Sequence, residues 1–253
     1  GRYLLVPAAV LAIAAAAGIE QLRAVRSRER DPLRAVPFVL LGATVWMAAL
    51  SQGKAQFDVK LVQMVKLMRG GEPVKMSKRS GSFVTLAEVV EEVGKDAVRF
   101  TMLNRKADAQ MEFDFQKVVE ASKDNPVFYV QYAHARIHSI LRKAAEEGLE
   151  ASDAHLDLLG EEELALVAQA AQFPRIIEAA ASAREPHRVA FYLGDLAAAF
   201  HAFFNMGNDR PEKRIIQVQD RDSSSARLFL ARNIGQTIAN GLTLMAVSAP
   251  TQM

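Results

Sequence analysis

From residue 125 to the last residue, the sequence is a succession of helical segments with short connections. Asn125 can cap the first helix, and Pro126 suits its first turn because that position needs no backbone N–H donor. Further helices are predicted over residues 161–171, 173–182, 186–204 and 226–247. Helices of this number with short connections pack as a bundle. We therefore expect a mainly α protein with an α-helical bundle over residues 122–253.

Composition limits the chemistry available to the chain. Hydrophobic residues make up 50% of the 253 residues and charged residues 24%, which indicates a folded protein with a sizeable core. The absence of cysteine excludes disulfides, thiolate zinc sites and cysteine nucleophiles. The net charge of +2 is too small to indicate nucleic-acid binding by itself, so any RNA contact must come from a local patch.

A small α/β segment is predicted before the bundle. Residues 57–68 alternate in a way that suits a strand. Thr85 is placed to cap a helix over residues 86–93, with Glu88 three residues later and Gly94 closing it. Another helix is predicted over residues 96–104.

Residues 106–115 alternate between apolar and polar positions and are predicted to be extended. Asp108, Glu112 and Asp114 would then share a solvent face. No histidine or closing loop accompanies them, so we do not predict a metal site there.

A basic segment follows two glycines and a proline, which exclude a helix or a central strand. Its residues are Lys75, Met76, Ser77, Lys78, Arg79 and Ser80. Cationic side chains, hydroxyls and free backbone N–H groups together bind phosphates, and cations placed in advance stabilise charge that develops on a triphosphate. By composition alone, such a cluster is more often a solvated basic patch or a non-specific polyanion contact.

The helix after Asn125 has two distinct faces. One face is predicted to pack in the core and carries Val130, Ala133, Ile137 and Ile140. The other carries Tyr129, Tyr132 and Arg136, a row that could stack on exposed bases and reach phosphates. Half-buried packing is the alternative explanation for the tyrosines.

His134 and His138 lie four residues apart on the same helix, which is a spacing used by zinc ligands. The metalloprotease pattern requires Glu directly after the first His, and Ala135 occupies that position. No third ligand is apparent. We expect a packing or solvent-facing pair.

Two uncharged runs, residues 3–19 and 35–53, flank a basic connector near the start of the sequence. They suggest a helical hairpin over residues 1–52. Each run is close to the lower limit of about 17 residues for a bilayer span, so membrane contact through residues 3–53 is one interpretation. Helices in a soluble core and one end of a larger domain are the others.

Several stretches resemble a known family. Lys-Met-Ser-Lys followed by Arg-Ser-Gly, over residues 75–81, closely resembles the second signature of class I aminoacyl-tRNA synthetases. Residues 83–86 and 93–100 are similar to arginyl-tRNA synthetases in particular, and the resemblance runs from about Gly53 to Met253. Residues 125–136 resemble the opening helix of that family's anticodon-binding bundle. The stretch around His201 resembles its Phe-His-x-Phe-Phe-Asn motif.

The resemblance implies an arginine–tRNA ligase, which joins arginine to tRNA(Arg) with cleavage of ATP to AMP and pyrophosphate. Lys75 and Lys78 would bind the ATP phosphates, Mg²⁺ would accompany ATP, and no protein-bound metal is implied. Residues 53–121 would be the end of the catalytic domain with a connecting domain, and residues 122–253 a DALR-type anticodon-binding domain. A cytoplasmic monomer is expected. The implied tRNA contacts are Tyr129, Tyr132, Arg136 and Met253.

Two departures from the family leave alternatives open. The first class I signature needs histidines early in the chain, and the first histidine here is His134. A catalytically inactive tRNA-binding fragment or fusion is therefore the alternative function, and a membrane-tethered version is a third. Thr251 and Gln252 also stand where the family usually has Glu-Arg, which weakens the prediction of RNA contact at that end.

Overall fold

A computed structural model describes residues 42, 45–46, 49–52, 62–74, 84–122 and 124–253. The chain divides into two compact units, residues 1–61 and 62–253, and the second is described below. The predicted hairpin over residues 1–52 lies almost entirely outside the described residues. The predicted phosphate-binding residues 75–80 lie outside them completely.

Three short strands form one sheet in the order β2-β1-β3. Strand β1 spans Val65–Arg69, β2 spans Glu72–Pro73 and β3 spans Met111–Asp114. β1 pairs antiparallel with β2 through a tight turn, and it pairs in parallel with β3. The strand predicted over residues 57–68 is confirmed from residue 65, while residues 62–64 precede the sheet. The extended segment predicted over residues 106–115 contains β3.

The solvent-facing position predicted for Asp114 is wrong. Its side chain is buried and accepts backbone hydrogen bonds from Gly70 (3.2 Å), Gly71 (2.8 Å) and Gln116 (3.0 Å). The Gly71 N–H, followed by the Gln116 and Gly70 N–H groups, lowers the pKa of Asp114. The reason is the parallel pairing with β1, which brings the β1–β2 turn over the end of β3 and supplies donors that alternation alone does not reveal. Gly70 and Gly71 have positive φ angles of 60° and 85°, which suit glycine.

Two helices pack beside this sheet, as predicted. Helix α1 spans Leu86–Val93 and begins with a complete capping box between Thr85 and Glu88. Helix α2 spans Lys95–Leu103. Gly94, with a φ angle of 82°, ends the first helix and begins the second, so a single glycine makes the sharp change of direction.

The remaining chain forms a helical bundle, which confirms the mainly α prediction. The helices are α3 (Pro126–Glu146), α4 (Glu161–Ala170), α5 (Phe173–Ala183), α6 (His187–Asp209) and α7 (Arg221–Leu244). The long helices α3, α6 and α7 pack on one another, and α4 and α5 pack against α6. Their shared core includes Val130, Ile137, Leu193, Leu196, Phe200, Leu228, Ile234 and Ile238.

Some predicted helix ends differ from the structure. Helix α6 continues to Asp209, five residues beyond the predicted end at residue 204. Helix α7 begins at Arg221, before the predicted start at residue 226, because the Asp220 carboxylate accepts a hydrogen bond from the Ser223 N–H at 3.2 Å and caps the helix. Asn125 occupies the cap position of α3, but its side chain donates to the carbonyls of Val118 and Glu120 instead.

Helices α6 and α7 cross at a glycine. A Cβ added at Gly241 would lie 2.6 Å from Leu193 Cδ2, so the two helices approach more closely than any side chain there would allow.

Within the described part of the chain, α6 is the one helix with the length and apolar composition of a membrane span. Half of its apolar window is buried inside the bundle, as in the core helix of a folded domain.

Candidate nucleic-acid interface

A cleft of about 780 Å³ opens along one side of the bundle. Its floor is α3, and its walls are the end of α6, residues 214–216 and the C-terminal residues Gln252 and Met253. These elements come from widely separated parts of the sequence. The cleft therefore exists only in the folded bundle.

The charged side chains in the cleft all have one sign. They are Arg136, Arg142, Lys143 and Arg214, and no acidic side chain is among the described lining residues. Concentrated positive charge raises the local concentration of a polyanion. The nearly neutral chain thus carries the local basic patch that RNA binding would require.

Arg136 is held in a fixed orientation on the cleft floor. Its guanidinium lies over the Tyr132 ring at 4.5 Å and over the Phe204 ring at 4.7 Å. One terminal nitrogen donates to the Tyr132 hydroxyl at 2.7 Å, and the other lies 3.0 Å from His201 Nδ1. Cation–π contacts and two hydrogen bonds together restrict the side chain and leave part of its edge for a ligand.

His201 supports this arrangement from α6. Its side chain is buried, and because Arg136 can only donate, Nδ1 must accept and the proton of the neutral ring must lie on Nε2. Nε2 is buried and makes no close hydrogen bond to any residue that the structure describes. Burial and then the positive charge of Arg136 lower the pKa of His201, which favours the neutral ring.

The two predicted tyrosines occupy different environments. Tyr132 is 37% exposed, lines the cleft and stacks on Phe128 with ring centres 5.9 Å apart. Tyr129 is partly buried, packs against the hydrophobic core and contacts the His201 ring at 4.7 Å. Tyr132 can therefore meet a ligand directly, whereas Tyr129 lies behind the site.

The C-terminal residues form one wall and are anchored to α3. His134 Nδ1 lies 2.8 Å from the Pro250 carbonyl oxygen, and Arg142 donates to the Thr251 carbonyl at 3.1 Å. His134 is buried and contacts the His138 ring at 4.5 Å, which confirms the packing interpretation of this pair. These anchors place Met253 at the cleft.

A second anchor ties the same segment to α2. The Asp96 carboxylate accepts hydrogen bonds from the Ser248 N–H (3.1 Å) and the Ser248 hydroxyl. Gln131 donates to the Ser248 carbonyl at 3.0 Å. The cleft wall is thereby connected both to the bundle and to the α/β segment.

The opposite wall depends on a buried ion pair. Arg227 Nε donates to Glu163 at 2.9 Å, and its terminal nitrogen donates to the carbonyls of Glu212 and Arg214 at 2.8 and 3.0 Å. Arg214 Nε in turn donates to the Gly207 carbonyl at 3.0 Å. A Cβ on Gly207 would lie 3.1 Å from Arg214 Cα, so the glycine permits the close approach that forms this wall.

The structure brings together three of the four predicted RNA-contact residues, Tyr132, Arg136 and Met253. Sequence reasoning missed Arg142, Lys143, Arg214 and the contact between His201 and Arg136. A signal existed for Lys143, which lies seven residues after Arg136 and thus on the same helix face. No local pattern predicts that Arg214 would join them.

Comparisons with known proteins identify the kind of domain that carries this cleft. Residues 130–253 match the model of the DALR anticodon binding domain. The bundle that carries the cleft is therefore similar to the DALR anticodon binding domain, the class predicted from the sequence.

Longer relatives extend the match beyond the bundle. The chain is 72% identical over 197 residues to an arginine–tRNA ligase of Novosphingobium aromaticivorans, covering 78% of this chain and 34% of the relative. It is 56% identical over 214 residues to the arginine–tRNA ligase of Parvibaculum lavamentivorans, covering 82% and 37%. The chain thus spans about a third of the length of these relatives.

Solved structures similar to this chain come from the same family as these relatives. A Campylobacter jejuni structure described as an arginyl-tRNA synthetase matches with a TM-score of 0.72 and 30% identity, over 85% of this chain and 45% of that one. The Thermus thermophilus arginyl-tRNA synthetase matches with a TM-score of 0.61 and 29% identity, over 74% and 34%. The chain is therefore related to the C-terminal part of the arginyl-tRNA synthetases, which confirms the resemblance predicted from the sequence.

Proposed function

We propose that this chain is the C-terminal part of an arginine–tRNA ligase and that it binds tRNA(Arg) through the basic cleft. The observation that carries the proposal is the meeting of an exposed tyrosine, a fixed arginine and three further cations on a domain of the anticodon-binding class. Such a surface offers stacking and hydrogen bonding to unpaired bases and positive charge to the backbone.

The contacts divide into two groups. Tyr132, Arg136 and Met253 lie where an unstacked base could enter, and the ring and guanidinium edge provide a face and donors for it. Arg142, Lys143 and Arg214 supply charge for phosphates. Tyr129 contributes indirectly, by packing on His201.

The catalytic part of the proposal rests on sequence resemblance. Lys75 and Lys78 bind the ATP phosphates and neutralise charge on the departing pyrophosphate. By the same resemblance, the ATP-binding segment also includes Met76, Ser77, Arg79 and Ser80. ATP and arginine are the small substrates, Mg²⁺ accompanies ATP, and the protein acts as a cytoplasmic monomer. Residues 53–121 and 122–253 are the two functional regions.

A tRNA-binding fragment without catalysis is the second candidate. It is favoured by the printed sequence itself, in which no histidine precedes His134. Aminoacylation needs the other half of a class I site, whereas RNA binding does not.

Charging with labelled arginine, run beside filter binding of a tRNA(Arg) transcript, separates the candidates. Charging supports the complete ligase activity, binding without charging supports the fragment, and absence of both contradicts the proposal. Binding should weaken with salt, because cations that contact phosphates displace counterions.

A cleft variant tests the location of the RNA site. Lys143→Ala should weaken binding and reduce the slope of log affinity against log salt by about 1. Arg175→Ala is the matched control, because Arg175 is exposed on α5 outside the cleft. Equal effects of the two substitutions would place the RNA elsewhere.

The role of the signature loop is tested separately. Lys78→Ala should abolish ATP-dependent charging and leave tRNA affinity nearly unchanged, because the two substrates contact different regions. Equal loss of charging and of tRNA affinity would contradict this division.

A further inference from the structure

We propose that His201 is a positioning residue for RNA binding: its neutral ring aligns Arg136 in the cleft, and protonation of the ring releases Arg136 and weakens RNA binding. The inference rests on the proposed function, since it concerns the same cleft. His201 itself is buried and does not line the cleft.

The alignment follows from the contacts of Arg136. The Tyr132 and Phe204 rings contact its guanidinium, and the Tyr132 hydroxyl accepts from one terminal nitrogen. Because the guanidinium is planar, these contacts leave it one remaining freedom, which is rotation about the axis from its central carbon to that nitrogen, and this rotation sets the direction of the other terminal nitrogen. The bond to His201 Nδ1, at 3.0 Å, fixes it. The remaining N–H edge is then presented to the cleft in one orientation.

Only a neutral ring can make this bond. Nδ1 must offer a lone pair, and a protonated ring has none left. Protonation would also set two positive groups about 3 Å apart. The groups that face the ring are Arg136, Tyr129 and Tyr132 from α3, and within the described residues no carboxylate forms an ion pair with His201. The Tyr129 backbone favours a proton on the ring, but its effect is smaller than the opposing effects of burial and of the Arg136 charge.

The sign of the resulting pH dependence is distinctive. A histidine near RNA ordinarily strengthens binding as pH falls, because it adds a positive charge close to phosphate. Here protonation adds charge at a buried position and removes the alignment of the guanidinium that meets the ligand. Affinity should therefore fall as pH falls through the pKa of His201, which burial and the Arg136 charge lower.

Two matched variants isolate the ring acceptor. His201→Asn keeps an oxygen acceptor near the Nδ1 position and does not titrate. His201→Phe keeps much of the ring volume and removes the acceptor. His138→Asn is the control for the titration of a second histidine near the cleft. Burial lowers the pKa of His138 as well. Its ring contacts His134, which anchors the C-terminal wall.

The experiment measures tRNA(Arg) affinity by filter binding at constant salt between about pH 8 and about pH 5.5, a range that spans ordinary histidine titration. The wild-type chain should begin to lose affinity towards the lower end of this range, because the pKa of His201 lies below that of an ordinary histidine. The full loss, about tenfold for a charge-assisted hydrogen bond, should be approached only as the ring becomes fully protonated. His201→Asn should bind nearly as tightly as wild type at the upper end and show much less pH dependence. His201→Phe should bind about tenfold more weakly even at the upper end.

NMR supplies a readout independent of RNA. The His201 ring of the full chain should titrate below the usual range, and Arg136→Met should raise its pKa by removing the neighbouring charge. Unchanged affinity in His201→Phe, or wild-type binding that strengthens steadily as His201 protonates, would overturn the inference while leaving RNA binding established. Absence of tRNA binding by the wild-type chain at any pH would instead overturn the proposed function, and this inference with it.

Discussion

Arg227 donates to the carboxylate of Glu163 with 2.9 Å between Nε and Oε1, and both side chains are buried. The same arginine donates to two carbonyls of the segment before α7. Lys213 adds a second cation 3.3 Å from Glu163. A buried carboxylate with two cationic partners thus joins α4, α7 and the wall of the cleft.

Removing Glu163 should destabilise the fold strongly. Glu163→Ala leaves Arg227 buried without its partner, a change that costs about 3–5 kcal/mol in comparable cases. Chemical denaturation should show a lower midpoint. Glu162→Ala is the control, because Glu162 is partly exposed and pairs with Lys213 and Arg210 at the surface, so its loss should be much smaller. Similar losses from both variants would contradict this ranking.

The pH dependence of stability should reveal Glu162. The hydrogen bond from Lys213 is the main cause that lowers the pKa of Glu162 to about 2. A carboxyl group whose pKa is lowered by folding stabilises the fold above its unfolded value of 4.5, and this contribution is lost as pH falls towards about 2. Thermal melts across that range should therefore show a smaller loss in Glu162→Gln than in wild type. An identical profile would mean that the pairs with Lys213 and Arg210 are not maintained in solution.

Two helical glycines should respond to alanine in opposite directions. Gly241→Ala places a methyl 2.6 Å from buried Leu193, and such overpacking costs about 1–3 kcal/mol, more than the gain of up to about 1 kcal/mol in helix propensity. Gly194→Ala meets no atom within 4 Å and should stabilise the protein by the propensity gain alone. Urea titrations of both variants test this, and stabilisation by both would show that the α6–α7 crossing can relax.

Asp96 should control the order of the C-terminal wall. In Asp96→Ala, the Ser248 N–H and hydroxyl lose their acceptor, so hydrogen exchange of the Ser248 amide should accelerate about tenfold or more. Tyrosine fluorescence or circular dichroism should show that the bundle itself remains folded. Asp108→Ala, at an exposed position, should leave the exchange rate unchanged. Equal exchange rates in the two variants would show that the bonds from Gln131, His134 and Arg142 suffice to hold the wall.

Local patterns predicted much of the fold. Thr85, Glu88 and Gly94 identified a helix because capping depends on residues only a few positions apart. The core face of α3 followed from helical periodicity, and Val130 and Ile137 are fully buried. Asp114 was misplaced because Gly70 and Gly71, which donate to it, lie in the β1–β2 turn more than 40 residues away.

The candidate site was predictable in part for the same reason. Tyr132 and Arg136 lie one helical turn apart on α3, so their shared face could be inferred directly. Arg214 reaches the cleft from the segment before α7, and His201 contacts Arg136 from α6. Helical periodicity within α3 cannot predict either contact. The resemblance to a family supplied the phosphate-binding prediction for Lys75 and Lys78, which stays a prediction.

The C-terminal wall has a consequence for the order in which the cleft can assemble during translation. Its anchors Asp96, Gln131 and His134 are synthesised more than 100 residues before the segments they bind. Helix α3 can form early, but a ribosome-bound chain that has not yet exposed residues 248–250 lacks one side of the cleft. The surface that we propose to bind tRNA is thus completed late, when the nascent chain already contains every other element of the bundle.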